Sequence, residues 1–219
     1  MVEKEPIIKE ESEEIIQEIS SEEPPILKKN FWKSALSFGL EIFKTVIISL
    51  AIILPIRYFV IQPFMVDGAS MEPNFSDKQY LVINEISYRF NEPNRGEVIV
   101  FKNPQNTKEY YIKRIIGLPG ETIKIESDKV YIKKEGKEKF VQIDELDYLP
   151  EETRTFGNIM ALELEENQFF VLGDNRTNSK DSRNLGPIDR ELIMGKVWIR
   201  GFPFQDAQVF NFSEYDYGL

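Results

Sequence analysis

The apolar segment from Leu36 to Val66 constrains this chain more than any other feature, because a run of this kind must be withdrawn from water. Charges interrupt it only at Glu41, Lys44 and Arg57. The uncharged part, residues 45–56, has a length that fits a buried helix or a secretory signal core as well as a membrane span. The context favours a membrane helix of about 20 residues from Leu40 to Val60, in which Lys44 and Arg57 reach toward the lipid headgroups.

The residues that flank this span predict its orientation. Lys28, Lys29 and Lys33 precede it beside Trp32, and basic residues at this position are typical of the cytoplasmic side. We therefore expect a single-pass protein of the cell membrane, with the N-terminus in the cytoplasm and residues beyond about 62 outside. A cleavable signal is one alternative, although about 27 mostly acidic residues precede the apolar run, where a signal would begin short and basic. A core helix of a soluble protein is the other.

The acidity of the chain is concentrated at its start. The formal net charge is −10, and the first 23 residues hold nine glutamates and two lysines, a balance of −7, so the rest of the chain carries only −3. Residues 1–27 are predicted to be a disordered cytoplasmic tail, and residues 28–62 the juxtamembrane segment and membrane helix. The body lacks the excess of positive charge with which nucleic-acid binders neutralise phosphates, so we expect no nucleic-acid partner.

Residues 63–219 contain short β-branched and aromatic runs separated by turn residues. We expect a mainly β domain outside the membrane, built as an open sheet or a partly closed barrel. Residues 126–166 are more charged and less regular, which indicates an inserted subdomain. No oligomeric state is predicted. The predicted strands are Tyr80–Asn84, Glu97–Phe101, Tyr110–Ile116, Thr122–Ile125, Lys129–Lys133, Phe169–Leu172 and Lys196–Arg200.

The sequence contains neither histidine nor cysteine, and this excludes most catalytic sites. A Ser-His-Asp triad and a thiolate nucleophile are ruled out, so a catalytic serine would depend on a lysine base. None of the 13 serines has lysine three residues later, which excludes the helical SxxK arrangement. Ser70 is the candidate nucleophile, because small residues flank it in the turn-like Gly68-Ala69-Ser70-Met71-Glu72-Pro73.

Lys113 is the candidate base, because it lies in an apolar predicted strand where burial lowers the pKa of an amine. Alternation places Tyr111, Lys113 and Ile115 on one face and Arg114 on the other, and it does not decide which basic side chain points inward. The chemistry favours lysine, since a guanidinium effectively cannot deprotonate. The alternative is an edge strand, on which the two charged side chains would hinder pairing with another chain.

A polar loop follows the predicted strand Phe169–Leu172. Residues 173–186 hold two acidic and three basic side chains among asparagines, serines and a threonine. This composition predicts a loop locked by charge-assisted hydrogen bonds. A solvated surface loop is the alternative.

These elements, in this order behind an apolar anchor, resemble the type I signal peptidases. The resemblance implies that Ser70 is the nucleophile, that Lys113 is its base, and that the Ser179 hydroxyl orients the lysine amine. It also implies a supporting network and a set of residues that border small-residue pockets. The network is Asp174, Arg176, Asp181 and Arg183, and the pocket residues are Tyr111, Ile112 and Ile115. The matching stretches are Gln62-Pro63-Phe64-Met65-Val66, Ser70-Met71-Glu72-Pro73, Arg95-Gly96-Glu97-Val98-Ile99-Val100-Phe101, Tyr111-Ile112-Lys113-Arg114-Ile115-Ile116-Gly117-Leu118-Pro119-Gly120-Glu121 and residues 173–186.

The activity implied by the family is the removal of signal peptides from exported preproteins through an acyl-enzyme, with no metal or organic cofactor. The expected partners are signal peptides and the lipid bilayer. The sequence departs from the family pattern at Gly68, where some members carry a serine that helps hold the oxyanion, and at Asn74 and Thr177. Backbone N–H groups, including that of Ser70, are therefore expected to hold the oxyanion.

Two other functions remain open at this point. A self-cleaving repressor-type protease also uses a Ser-Lys pair, but it would need a DNA-binding segment where this chain has an acidic tail and an apolar helix. A catalytically silent, membrane-tethered β module that binds peptides or partners is compatible with the same residues.

Overall fold

The apolar segment forms one long helix. The computed structural model describes residues 27–59, 61–212 and 217–218, so the predicted tail up to residue 26 lies outside the described residues. Helix α1 spans Leu27–Phe59, and its part from Ser34 to Leu54 is long and apolar enough to cross a membrane. Side chains throughout residues 34–54 are exposed, unlike those of a core helix. This helix is compatible with membrane anchoring.

The apolar window of α1 lies closer to the N-terminus than the predicted span from Leu40 to Val60. It stops before Arg57, so that Glu41 and Lys44 are the charges it contains. By contacts, the chain divides into two units, Met1–Leu54 and Pro55–Leu219. The finer division into tail, anchor, outer domain and insertion stays a prediction.

The second unit is mainly β, as predicted. Its described residues form twelve strands, a short helix α2 and three 3-10 turns. The strands are β1 Ile61–Met65, β2 Tyr80–Asn84, β3 Val98–Asn103, β4 Asn106–Gly117, β5 Thr122–Glu126, β6 Lys129–Lys133, β7 Val141–Gln142, β8 Ile159–Glu163, β9 Gln168–Leu172, β10 Ile188–Asp189, β11 Ile193–Phe202 and β12 Gln208–Val209. The helical elements are α2 Ser182–Leu185 and the 3-10 turns Ile86–Arg89, Arg190–Leu192 and Phe204–Asp206.

The larger sheet is antiparallel and open. Its strands follow the order β1-β2-β11-β3-β4-β9-β10, with β12 added to β11. Within the described residues the order ends at β1 and β10, so the sheet does not close into a barrel. β4 lies between β3 and β9, which makes it an interior strand. The alternative that Lys113 guards an edge strand is therefore wrong.

Apolar runs explain why β3 and β4 lie in the middle of this sheet. A strand that is apolar at every position has to be covered on both faces. Along β3, Val98 and Val100 pack in one core cluster, whereas Ile99 and Phe101 pack in another, with Ile115 of β4. The centre of the sheet is therefore covered on both faces, and the inner residues of β4 lie between two apolar layers.

A second sheet is formed by residues 122–163, with the strand order β7-β6-β5-β8. It overlaps most of the predicted insertion at 126–166, although it already begins with β5. Ile123, Ile125 and Ile132 share a core cluster with Ile116 and Phe170 of the larger sheet. This shared core places the second sheet beside the end of β4 and beside β9.

Candidate active site

Ser70 lies in the turn that connects β1 to β2. Its neighbour Met71 and the nearby Phe75 are completely buried, and the Phe75 amide donates to the Met71 carbonyl at 2.9 Å. Both side chains pack with Leu81 and Val98 in the core cluster under the turn. Burial of these apolar residues fixes the turn and leaves Ser70 half-exposed at its surface.

Lys113 reaches the same place from the interior of the sheet. It stands opposite Ile99 on β3 and is only 3% exposed. Its Nζ donates to Ser70 Oγ at 2.7 Å and to the Ile112 carbonyl at 2.7 Å. The structure therefore brings the candidate nucleophile and the candidate base into direct contact, although 43 positions separate them in the chain.

The environment of Lys113 favours the neutral amine. Burial lowers the pKa of Lys113 from its ordinary 10.5 to about 8, against the opposing pull of the Asp181 and Asp174 carboxylates. The ring of Tyr111 lies 5.7 Å from Nζ and covers the amine on one side. A lysine that is partly neutral near neutral pH, in contact with a hydroxyl, can act as a general base.

A cavity of about 410 Å³ opens beside this pair. Tyr111 and Ile112, two of the three predicted pocket residues, line it. Ile115 does not reach it, because its side chain is completely buried against Phe169 and Val171. The remaining lining residues are Phe64, Met65, Val66, Asp67, Ser70, Leu81, Val100, Tyr110, Lys113 and Lys180.

Arg114 forms a buried ion pair that the sequence did not indicate. Its Nε and Nη2 donate to the two carboxylate oxygens of Asp174 at 2.8 and 2.6 Å, and its Nη1 donates to the Gly96 carbonyl at 2.9 Å. The guanidinium lies 4.1 Å from the ring centre of Tyr148. Lys113 and Arg114 thus both point inward, on opposite faces of the strand: Lys113 contacts the serine and Arg114 holds the loop after β9.

Two asparagines fasten that loop to the serine turn. The Asn175 amide donates to the Ser70 carbonyl at 3.1 Å, and its side chain donates to the Ala69 carbonyl at 3.0 Å. Asn74, at one of the positions that depart from the family, donates to Asp174 Oδ2 and to the Tyr148 carbonyl, both at 2.8 Å. The sequence offered no signal for either contact beyond the asparagine-rich composition of the loop.

Asp181 and Arg183 close the loop on itself. Arg183 Nε and Nη2 donate to Asp181 at 2.8 and 2.7 Å, and the Gly173 amide donates to Asp181 at 3.0 Å. Burial alone would raise the pKa of the Asp181 carboxyl, but these hydrogen bonds outweigh it and hold the pKa below its ordinary value. Arg183 Nη1 also donates to the Arg176 carbonyl at 2.7 Å. The loop is therefore locked by charge-assisted hydrogen bonds.

Arg176 is buried beside Glu145, a residue of the connection between β7 and β8. Burial alone would lower the pKa of Arg176, but the adjacent Glu145 carboxylate raises it above its ordinary value. All four predicted network residues thus belong to one connected set of hydrogen bonds around the serine turn.

Neither Ser179 nor Gly68 forms a hydrogen bond to Ser70 or Lys113 within the described residues. The Ser179 Oγ is buried near Gly173 and forms no hydrogen bond to Lys113 within the described residues, so its orienting role stays a prediction. Gly68 adopts a φ of +90°, a conformation that glycine tolerates best, and its amide donates to Asp77 Oδ1 at 2.8 Å. That amide is therefore engaged away from the cavity. Over residues 27–59, 61–212 and 217–218, no three acidic side chains are grouped as a metal site would require.

Comparisons with known proteins show which family this chain resembles. The family model for signal peptidase, peptidase S26, matches residues 39–202. A signal peptidase I from Bacillus amyloliquefaciens is 33% identical over 192 residues, which cover 87% of this chain and 98% of that protein. Signal peptidase I T from Bacillus subtilis is 34% identical over 171 residues, which cover 77% of this chain and 88% of that protein. A signal peptidase I crystal structure from Enterococcus faecalis is 29% identical, with a TM-score of 0.39 over 48% of this chain and 97% of that one.

The matches define the class of protein as a peptidase. The chain belongs to the signal peptidase, peptidase S26 family. The predicted family and the expected type of enzyme, a serine endopeptidase, are both confirmed.

Proposed function

We propose that this enzyme removes signal peptides from exported preproteins, with Ser70 as nucleophile and Lys113 as its general base. The observation that carries the proposal is the 2.7 Å contact between Lys113 Nζ and Ser70 Oγ in a chain without histidine or cysteine. The relatives are named signal peptidase I, and this supports the same class of substrate for this chain.

The reaction begins when neutral Lys113 accepts the proton of the Ser70 hydroxyl. The serine oxygen then attacks the scissile carbonyl, and negative charge develops on the carbonyl oxygen. Gly68 supplies neither a hydroxyl nor a free amide, since its N–H donates to Asp77. The Ser70 amide donates no hydrogen bond among the described residues, so it is available to stabilise the oxyanion.

The second half of the reaction uses the same amine. Protonated Lys113 gives its proton to the leaving nitrogen of the mature protein, and the signal peptide stays bound to Ser70 as an ester. Lys113, neutral again, then takes a proton from water, whose oxygen attacks the ester carbonyl. This step releases the signal peptide and regenerates the Ser70 hydroxyl.

The cavity beside Ser70 suits the residues before the cleaved bond. Tyr111 and Ile112 stand in its wall. The resemblance to the signal peptidases implies substrates with small side chains at positions −1 and −3, and this cavity is where we expect them to bind. Ile115, which lies in the core, supports the wall from behind and does not touch the substrate.

We propose that helix α1 anchors the enzyme in the membrane that also holds its substrate. We assign the N-terminus to the cytoplasm and the β domain to the outer face of the cell membrane, because three lysines precede the apolar window. A preprotein whose signal segment lies in the same bilayer meets the enzyme in two dimensions, which raises its effective concentration. In this proposal the bilayer is a partner of the enzyme, because it holds the preprotein close to the active site.

The test is cleavage of a purified preprotein by the full-length enzyme in lipid vesicles. Ser70→Ala and Lys113→Met should each lower kcat by about 10⁴-fold or more. Two exposed residues provide matched controls, since Ser76→Ala changes a serine of the same turn and Lys108→Met a lysine of the same strand. Both controls should cleave at the wild-type rate. Undiminished cleavage by correctly folded Ser70→Ala and Lys113→Met would refute the assignment of the pair.

A further inference from the structure

The second sheet contributes a carboxylate to the loop that follows β9. Glu145 lies between β7 and β8, in a turn where its carbonyl accepts from the Tyr148 and Leu149 amides. Both terminal nitrogens of the Arg176 guanidinium donate to its carboxylate, with 2.9 Å from Nη1 to Oε2. The Arg176 side chain is 1% exposed and that of Glu145 17%, so water screens this pair weakly.

A second residue of the same connection contacts Arg176. The Thr155 hydroxyl accepts from Arg176 Nη1, and the Thr155 amide donates to the Asp128 carbonyl at 2.9 Å, in the turn between β5 and β6. Arg176 is thus held by residues of the second sheet, although it belongs to the loop of the larger one. A buried ion pair does not by itself make a fold more stable. A role for the pair of Arg176 and Glu145 is therefore to be sought in the segments that it connects.

Arg176 transmits these contacts to Gly173. Its Nε donates to the Gly173 carbonyl at 3.1 Å, while the Gly173 amide donates to Asp181, so both backbone polar groups of this glycine are engaged. A Cβ at Gly173 would lie 2.1 Å from Ser179 Oγ and 2.5 Å from the Ser70 carbonyl oxygen. Gly173 therefore touches the residue that carries the nucleophile, and a displaced Gly173 would displace the serine turn.

We propose that Glu145 is a positioning residue for signal-peptide cleavage, which acts through Arg176 and Gly173 to hold Ser70 against Lys113. The second sheet then has a part in the reaction although it contributes no residue to the cavity beside Ser70. This inference rests on the proposed function, because it requires that Ser70 and Lys113 react. A displacement of about 1 Å in a reacting group can cost about 10²-fold in rate, which sets the size of the expected effect.

The test replaces Glu145 by glutamine in the full-length enzyme, assayed with a preprotein in lipid vesicles. Glu145→Gln keeps the shape of the side chain and leaves Arg176 buried beside a neutral partner. We expect kcat to fall about 10²-fold with little change in KM. The pH at half-maximal kcat should also rise, because a loosened loop admits water to Lys113, whose pKa is lowered mainly by burial. Glu145→Asp should recover part of the rate, since it retains the charge.

Controls separate positioning from a general loss of folded protein. Unfolding would lower the measured rate without moving the pH midpoint. Glu151→Gln changes an exposed glutamate of the same connection that forms no ion pair in the described part of the chain, and it should behave as wild type. The double variant Glu145→Gln/Arg176→Gln should be no slower than Arg176→Gln alone, because both changes break the same connection.

The outcomes distinguish the two claims. If cleavage depends on Ser70 and Glu145→Gln retains the wild-type kcat and pH midpoint, the role of Glu145 is overturned and the proposed function stands. Cleavage that persists in Ser70→Ala overturns both. If Glu145→Gln does not fold, Thr155→Val decides, because it removes the other side-chain acceptor that the second sheet offers to Arg176. An unchanged rate and midpoint in that variant would equally overturn the inference.

Discussion

The rate of cleavage should rise with pH through about 8, because the proposed base works only as a neutral amine. Burial lowers the pKa of Lys113 from 10.5 to about 8. With this pKa, about one tenth of the enzyme holds a neutral Lys113 at pH 7 and about nine tenths at pH 9. The single-turnover rate of acylation should therefore increase about tenfold between these two values.

The same shift fixes the sign of a second pH dependence, that of stability. The folded pKa of Lys113 lies below the unfolded value, so between about pH 8 and pH 10.5 the unfolded chain binds more protons at this site. The contribution of Lys113 to the free energy of unfolding should accordingly rise with pH across this window. Lys113→Met should remove that contribution, and urea unfolding at several pH values measures the difference.

The assay follows single turnovers of a signal-peptide substrate with a fluorescent leaving group, from about pH 6 to about pH 10. Lys108→Met, an exposed change in the same strand, serves as the control and should keep the profile of the wild type. A rate that is independent of pH, or that falls across this range, would refute general-base catalysis by Lys113. A midpoint near 10.5 would show that the amine is solvated and that the burial argument is wrong.

Two further changes test the supporting structure. Asp174→Asn should destabilise the protein by about 3 to 5 kcal/mol, because Arg114 would keep a buried charge without a carboxylate partner. Asp67→Asn at an exposed ion pair should cost much less by the same urea titration, and equal losses in the two variants would contradict the role of burial. Gly173→Ala should lower kcat with little loss of secondary structure, because the added Cβ would lie 2.5 Å from the Ser70 carbonyl oxygen. A wild-type kcat with an unchanged circular dichroism spectrum would show that the loop can shift to accommodate the added Cβ.

The strands with strong local patterns were predictable from the sequence. The bounds of β2 and β6, Tyr80–Asn84 and Lys129–Lys133, agree with the predicted runs, because apolar β-branched residues end there at turn residues. Five strands were missed: β1, β8 and the two-residue strands β7, β10 and β12. A two-residue strand exists only through pairing with a partner, since a run of two residues carries no period.

The candidate pair was predictable for a chemical reason. Without histidine or cysteine, a reachable serine needs a lysine in an apolar strand, and few residues meet these conditions. The partner of Arg114 was not predictable, because Asp174 lies 60 positions away and no local pattern links them. The same holds for Glu145, which a different sheet brings to Arg176.

The sequence by itself determined the apolar helix, the β character of the body and the kinds of residue on which catalysis can depend, since these follow from composition, period and the chemistry of single side chains. The tertiary structure decided which polar groups meet. Hydrogen bonds act over about 3 Å, so the contacts of Lys113 with Ser70 and of Arg114 with Asp174 exist only once the packing of β3, β4 and β9 has brought distant segments together.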